Sequence, residues 1–309
     1  MSNTNANTAA ERNFTAEQVA LMKQQYKKQN QLVATWRQFK KNKMAVFGLI
    51  VFFIMVIVAI SCSFIFDYET DIVEQHIMER FQGFSREHPL GTDQFGRDIL
   101  KRVLWGGRVS LFCGLGAVTI SLTFGSILGA AAGFFGGYVD DVIMRFMDIL
   151  LSIPETLLAI SLVAAFGTSL PVLLCAMAVG QIPKLSRLVR SQVLTLKNEQ
   201  FVEAARCCGT KNARIIFKHI LPNAVGPIIV NCTLTVARSI LTIAGLSFIG
   251  LGLQPPNPEW GAMLSEAKVR LIDYPYLIVA PGIAIILTVM SLTMAGDGLR
   301  DALDPKMRH

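Results

Sequence analysis

Long apolar runs separated by short charged segments set the pattern of this 309-residue chain. Ala45–Phe66 is an uncharged run of 22 residues, enough to cross about 30 Å of hydrocarbon as a helix rising about 1.5 Å per residue. Val109–Val139 carries no charge and predicts a second span. Further spans are expected over about 142–166, 169–182, 224–249 and 276–295. Pro171, Pro183, Pro227 and Pro281 are expected near span ends, where a missing backbone donor costs least. The expected fold class is an all-α membrane protein of about six transmembrane helices. It divides into a tail at 1–44, a first span at 45–66, an outer loop at 67–108 and a five-helix core at 109–309.

Basic residues orient the spans. Segments 1–44, 140–148, 184–222 and 296–309 hold 20 Lys and Arg, whereas 67–108 and 252–274 hold 8. That bias places both termini and the 184–222 loop in the cytosol of a multi-pass protein. Residues 1–13, rich in Asn, Thr and Ala, are expected to be disordered. Thr15 with Gln18 reads as a capping box opening a basic helix through about Lys43. Trp36 and Phe39 among its lysines mark an interfacial helix in contact with membrane lipid. The first 44 residues are polar and the first apolar run is too long for a signal peptide, so that run is expected to remain as an anchor.

The central stretch, Asn198–Asn223, is charged and amphipathic. Phe201, Ala204, Ala205 and Cys208 fall at helical spacing on one face, with Asn198 as the expected cap. Gly209 supplies a left-handed residue to end the helix. Thr210 is placed to cap a second helix that Pro222 would close. Helix, glycine elbow, helix is the expected form.

Composition narrows the function classes. Apolar residues make up 52% of the chain and charged residues 17%, with a net charge of +7. The basic residues cluster at the ends of apolar runs, which is a topology signal and points to no nucleic-acid partner. Six cysteines form no framework: four fall in apolar runs, and Cys207 and Cys208 read as small side chains at a contact. No Gly-Lys dipeptide occurs, so the phosphate-cradling loop of nucleotide hydrolases is absent. His76, His88, His219 and His309 are scattered, and neither HExxH nor G-x-S-x-G occurs. No catalytic residue and no metal or cofactor site is expected on this chain.

The outer loop holds Asp93, Arg97 and Asp98 close enough to pair, with Gly91, Gly96, Gly106 and Gly107 permitting tight turns. Arg145 and Asp148 are spaced to pair on one helical face. Gly125, Gly129 and Gly133 lie four apart, a small-residue face for close helix packing. Two ionisable residues, Glu155 and Arg238, sit deep in spans, about equally far from the inner ends, and are candidates for lining a polar path through the bundle. Arg238 is expected to pair with Glu155, with a backbone carbonyl, or with a carboxylate on a passing solute.

Glu203-Ala-Ala, Gly209 and Leu221-Pro222 together resemble the EAA loop of permease subunits from ATP-binding-cassette importers. His219 replaces the isoleucine of the generic form and is similar to the peptide and nickel branch. The tracts His88–Leu111, Tyr138–Pro154, Trp260–Leu264 and Gly296–Arg308 extend the resemblance to roughly residues 40–308. Ile243 and Thr293 depart from it, standing where a glutamate and an asparagine are expected. The resemblance implies a bacterial inner-membrane importer subunit, partnered by a homologous permease, two ATPases that carry ATP and Mg, and an extracytoplasmic binding protein. Peptide is the implied substrate, with nickel chelates, glutathione or an opine on the same scaffold as alternatives. Phe201, Glu203, Ala204, Ala205, Cys208 and Gly209 are the implied ATPase-coupling residues, with Glu203 an anchor to the ATPase or to Arg206. A channel or secondary transporter would want more intramembrane charges and an inverted repeat, neither of which is evident.

Overall fold

The computed structural model describes residues 31–303, with side chains from 35 onward. The Thr15–Gln18 capping box lies outside the described residues. Helix α1 (Gln31–Lys41) is the described part of the basic segment, and α2 (Lys43–Ile65) is the first span. Asn42 separates them: its backbone is extended and its side chain accepts from the Ala45 amide at 3.1 Å. Phe39 stacks on Trp36 and is buried beside Ala45 and Ala302, tying the corner to the end of the last helix. Along α2, Phe47, Ile50, Phe53, Ile54 and Ile57 are exposed, an apolar face with no water-soluble role.

The second span, α3 (Ile99–Phe135), has 37 residues and starts ten residues earlier than the uncharged run. At about 1.5 Å per residue it is about 55 Å long, so its first turns stand above the hydrocarbon. Asp98 caps it by accepting from the Lys101 amide at 3.0 Å. The charges that hid this boundary are paired: Lys101 with Asp71, Arg102 with Asp93 and Glu266.

The third span is not one helix. α4 (Gly137–Leu151) and α5 (Glu155–Phe166) meet at 83° across Ser152-Ile153-Pro154. Pro154 lacks an amide hydrogen and disfavours a helical residue before it, so the break follows from sequence. The fourth span, α6 (Leu170–Leu196), runs straight through Pro183 and far beyond the expected end near residue 182. Pro227 and Pro281 also lie inside helices, and only Pro171 sits at a first turn. Membrane helices tolerate such prolines because neighbouring groups satisfy the freed carbonyls.

After the short helix α7 (Gln200–Cys207), one turn at Asn212–Arg214 and a π-helical turn at Ile215–Ile220 lead into α8 (Leu221–Phe248). A short helix, α9 (Trp260–Ala267), and the last span, α10 (Tyr276–Leu303), complete the described chain. Five stretches are long and apolar enough to cross a membrane, and the bent α4–α5 pair makes a sixth if it counts as one. The molecule is therefore an all-α membrane protein.

Close helix contacts run where side chains are smallest. A Cβ on Gly129 would lie 2.3 Å from the Ser186 carbonyl, one on Gly133 2.9 Å from that of Arg190, and one on Gly125 3.0 Å from Leu185. The glycine face of α3 is thus the seam with α6, as expected from the spacing. Ile243 is fully buried with Cys113, Ala117 and Met177, so this departure from the family pattern packs the core and does not face a path.

Candidate functional site

Two features gather the chemistry, an amphipathic hairpin between α6 and α8 and a polar cavity among α3, α5, α6 and α8. The hairpin begins at Glu199, whose extended backbone precedes α7 without a side-chain cap; Asn198 does not perform that role. At the other end Gly209 adopts φ +71°, its amide reaches the Arg206 carbonyl and the Thr210 amide reaches that of Ala205. These two bonds are the Schellman termination that a glycine permits. Thr210 is consumed in closing the first helix and does not cap a second.

Pro222 does not close the second helix either. Asn212–Phe248 is one continuous 37-residue stretch. The π turn explains it: the Leu221 amide bonds back five residues to Ile216, a widened ladder just where proline removes a donor.

The apolar stripe divides in two. Ala205 turns inward, beside Val202, Ile215, Ile220, Val189 and Val193, and fixes the hairpin to the base of α6. Phe201, Ala204 and Cys208 face outward, with Phe201 38% exposed. Ala205 is therefore a support for the surface and not part of it. Val202, fully buried, was missed, although its i, i+3 spacing to Ala205 is readable in sequence. Glu203 is exposed and forms no ion pair among the described residues. Its proposed neighbour Arg206 instead lies over the Phe134 ring at 5.5 Å. Cys207 and Cys208 are free and exposed, so neither packs within this chain.

The cavity encloses about 260 Å³, lined by Glu155, Gln181, Lys184, Asn231, Thr235 and Arg238 among others. Glu155 and Arg238 share it, yet they are not paired. Glu155 accepts from Lys184 Nζ at 2.5 Å, and Arg238 has no ion pair among the described residues. The 83° bend carries Glu155 to the start of α5, and the continuation of α6 past Pro183 brings Lys184 to meet it. Reading Lys184 as part of a cytosolic loop concealed that contact. Deeper in, Gln181 donates to Ser239 at 2.7 Å and accepts from Ser121 at 3.4 Å, a polar tie across three helices. Asp148 pairs with Arg187 and not with Arg145.

At the N-terminal end of α3, Asp93 accepts from Arg97 Nε at 2.7 Å and Arg102 Nη1 at 2.6 Å, while Glu266 of α9 accepts from the same two guanidiniums at 2.9 and 3.1 Å. Burial pushes the Arg97 guanidinium below its ordinary pKa and Arg102 adds to this; Asp93 and Glu266 pull it back. Asp98 does not join this group and pairs with His88 Nδ1 at 2.9 Å. Gly91 and Gly96 take φ of +78° and +75°, as turns require. Gly106 and Gly107 do not turn; they lie within α3, where a Cβ on Gly107 would come 2.9 Å from the Trp260 ring. Trp260, 1% exposed, donates from Nε1 to the Val103 carbonyl at 2.8 Å. Among the described residues no group of three His, Cys, Asp or Glu is placed to hold a metal ion.

A bundle of membrane helices, with an apolar-faced hairpin at one end and a charged cavity within, defines a transport permease and not a soluble binding module. The chain belongs to the family described as binding-protein-dependent transport system inner membrane component, whose profile matches residues 125–309. The N-terminal transmembrane domain of oligopeptide transport permease C matches residues 30–83. A dipeptide transport system permease protein of Alkalihalophilus pseudofirmus is 47% identical over 280 residues, covering 89% of this chain and 91% of that one. A glutathione transport system permease protein of Escherichia coli O157:H7 is 42% identical over 273 residues, covering 88% and 90%. Among solved structures, the inward-facing MetNI methionine ABC transporter shares the fold at a TM-score of 0.51 and 19% identity, over 67% of this chain and 97% of that one.

Proposed function

We propose that this chain is one transmembrane half of an ATP-driven peptide importer in a bacterial inner membrane. A second, homologous permease supplies the other half, two ATPase subunits bind ATP and Mg, and an extracytoplasmic binding protein delivers the solute. The observation that carries the reading is the outward face of α7, Phe201, Ala204 and Cys208, held on a buried base and ended by Gly209. Such a face fits a groove on a partner, and rigid seating on α6 and α8 would pass the partner's motion to the spans. Nucleotide-driven closure of the ATPases would then shift the spans between inward- and outward-open populations. Peptide is favoured by the 47% identical dipeptide permease, and the 42% identical glutathione permease supports glutathione as a second reading.

Purification of the tagged chain, expressed with its neighbouring reading frames, should bring down ATPase subunits, and vesicles of the complex should take up radiolabelled dipeptide only with ATP. Isolation as a lone conducting pore would exclude an importer subunit. Uptake of glutathione in preference to dipeptide would select the second reading.

The proposed orientation has its own test, in a background lacking the native cysteines, three of which are exposed. Cysteines at Gln75 and Asn257 should react with an impermeant thiol reagent in intact cells, and cysteines at Lys211 and Lys306 only after permeabilisation. Labelling at Lys211 from outside would invert the orientation and remove the hairpin from the cytosol.

A further inference from the structure

We infer that Arg238 is the carboxylate-binding subsite of the transport path, the group that holds the C-terminal carboxylate of a peptide as it crosses the membrane. The argument rests on charge and place. The cavity of about 260 Å³ is lined by one acid, Glu155, and two bases, Lys184 and Arg238. Lys184 takes Glu155 at 2.5 Å. That leaves one cation over, on the one guanidinium lining the cavity.

Arg238 lies about two-thirds of the way along α8, within a stretch long and apolar enough to span the bilayer. A guanidinium at that depth is costly against lipid, so it belongs against water, protein or an anionic ligand. Its surroundings agree: Thr235, Asn231 and Thr242 from its own helix, Gln181 from α6 and Thr156 from α5 line the same space. The hydroxyls are already engaged with their own helices, Thr235 with the Asn231 carbonyl at 2.8 Å and Thr242 with that of Arg238 at 2.9 Å. Gln181 is engaged with Ser239 and Ser121. Among the charged groups of the lining, the guanidinium is therefore the one left without a partner among the described residues, and the Asn231 amide and Thr156 hydroxyl beside it are free to assist.

The missing partner is an acceptor that can take a planar fork of N–H donors, and a carboxylate does so with two parallel bonds. A free peptide carries such a group at one end and a cation at the other. Glu155, partly exposed beside Lys184, is the only acid in the lining and gives the ammonium end a place to rest. Arg238 is exposed in this chain, so a second permease subunit could also reach it. A carboxylate from that subunit is the competing occupant.

This inference rests on the importer reading, and the experiment separates the two. The complete complex, reconstituted in vesicles with its binding protein, is supplied with alanyl-alanine or alanyl-alaninamide, each at saturating concentration. The expected result is uptake of the acid about tenfold faster than the amide. Arg238→Gln should slow uptake of the acid by about tenfold and bring the two rates within about twofold of each other, whereas Arg238→Lys, which keeps the charge but loses the fork, should retain an intermediate preference. An unchanged acid-to-amide ratio in Arg238→Gln, or no preference in the unaltered complex, overturns the subsite while leaving the importer intact. Loss of the second permease from purified Arg238→Gln or Arg238→Lys complexes would assign the arginine to an intersubunit pair instead, and likewise overturns it. Uptake of neither peptide by the unaltered complex would remove the peptide-importer reading, and the subsite with it.

Discussion

Asp93→Ala is expected to loosen the outer cap more than any other single change there, by about 3–5 kcal/mol, because it leaves buried charge without its partner. Asp93 is 7% exposed and accepts four bonds: from the amides of Phe95 and Arg97 at 2.8 and 3.0 Å, and from the side chains of Arg97 and Arg102. Without it, Glu266 alone faces two guanidiniums, and Nε and Nη2 of Arg102 are already unpartnered in the protein interior. Two positive charges would then repel at short range, both on buried side chains. Asp93→Asn provides the comparison: its remaining oxygen can still accept from the two amides, so the turn should survive while the charge is lost. Thermal unfolding of the purified protein in detergent should rank Asp93→Ala below Asp93→Asn, and both below the parent. Proteolysis between residues 67 and 98 should accelerate in the same order. Equal stability of the alanine variant and the parent would show that the network is relaxed by water and carries no part of the cap.

How much of this was legible in the sequence depends on whether a residue's partner was local. The spans were readable because hydrocarbon imposes length and apolarity on each helix independently. The glycine seam was readable because three glycines four apart can only be one face. Gly209 was readable as a terminator because its effect is confined to two adjacent turns. Failures came where a distant element decides. The early start of α3 is invisible from composition, since Lys101 and Arg102 read as loop until Asp71, Asp93 and Glu266 are placed beside them. Pro222 read as closing a helix and Pro183 as lying at a span end, yet in the folded chain the helices widen or continue around them. The break at Pro154 was passed over because the run looked apolar enough to span, although the local rule for proline already pointed to it. Two consequences follow for the candidate site. Glu155 was given the wrong partner, because Lys184 had been assigned to a loop. Arg238, which lines the cavity, could be singled out because a lone cation among apolar residues is conspicuous without knowing any neighbour.

Gly209→Val is expected to cut uptake by an order of magnitude or more while the protein still inserts, and the structure says why the cause would be conformational. A Cβ at Gly209 would meet no atom within 4 Å, so bulk alone costs nothing there. What the position demands is φ +71°, which a β-branched residue adopts only under strain. Relief of that strain would flip the elbow, break the bonds from the Gly209 and Thr210 amides and swing the face of Phe201, Ala204 and Cys208 away from its seat. Asparagine tolerates the left-handed region far better, at a cost of about 1–2 kcal/mol at most, so Gly209→Asn should retain most transport and Gly209→Val should not. A purely steric site would rank the pair by size; here the ranking is set by backbone preference. The measurement pairs ATP-dependent uptake in vesicles with stimulation of ATP hydrolysis by loaded binding protein. In Gly209→Val the two should part company, with hydrolysis persisting at a reduced level and uptake lost, as expected when the motion of the ATPases no longer reaches α6 and α8. Full uptake with full stimulation in the valine variant would mean that the hairpin is not the element through which the spans are driven.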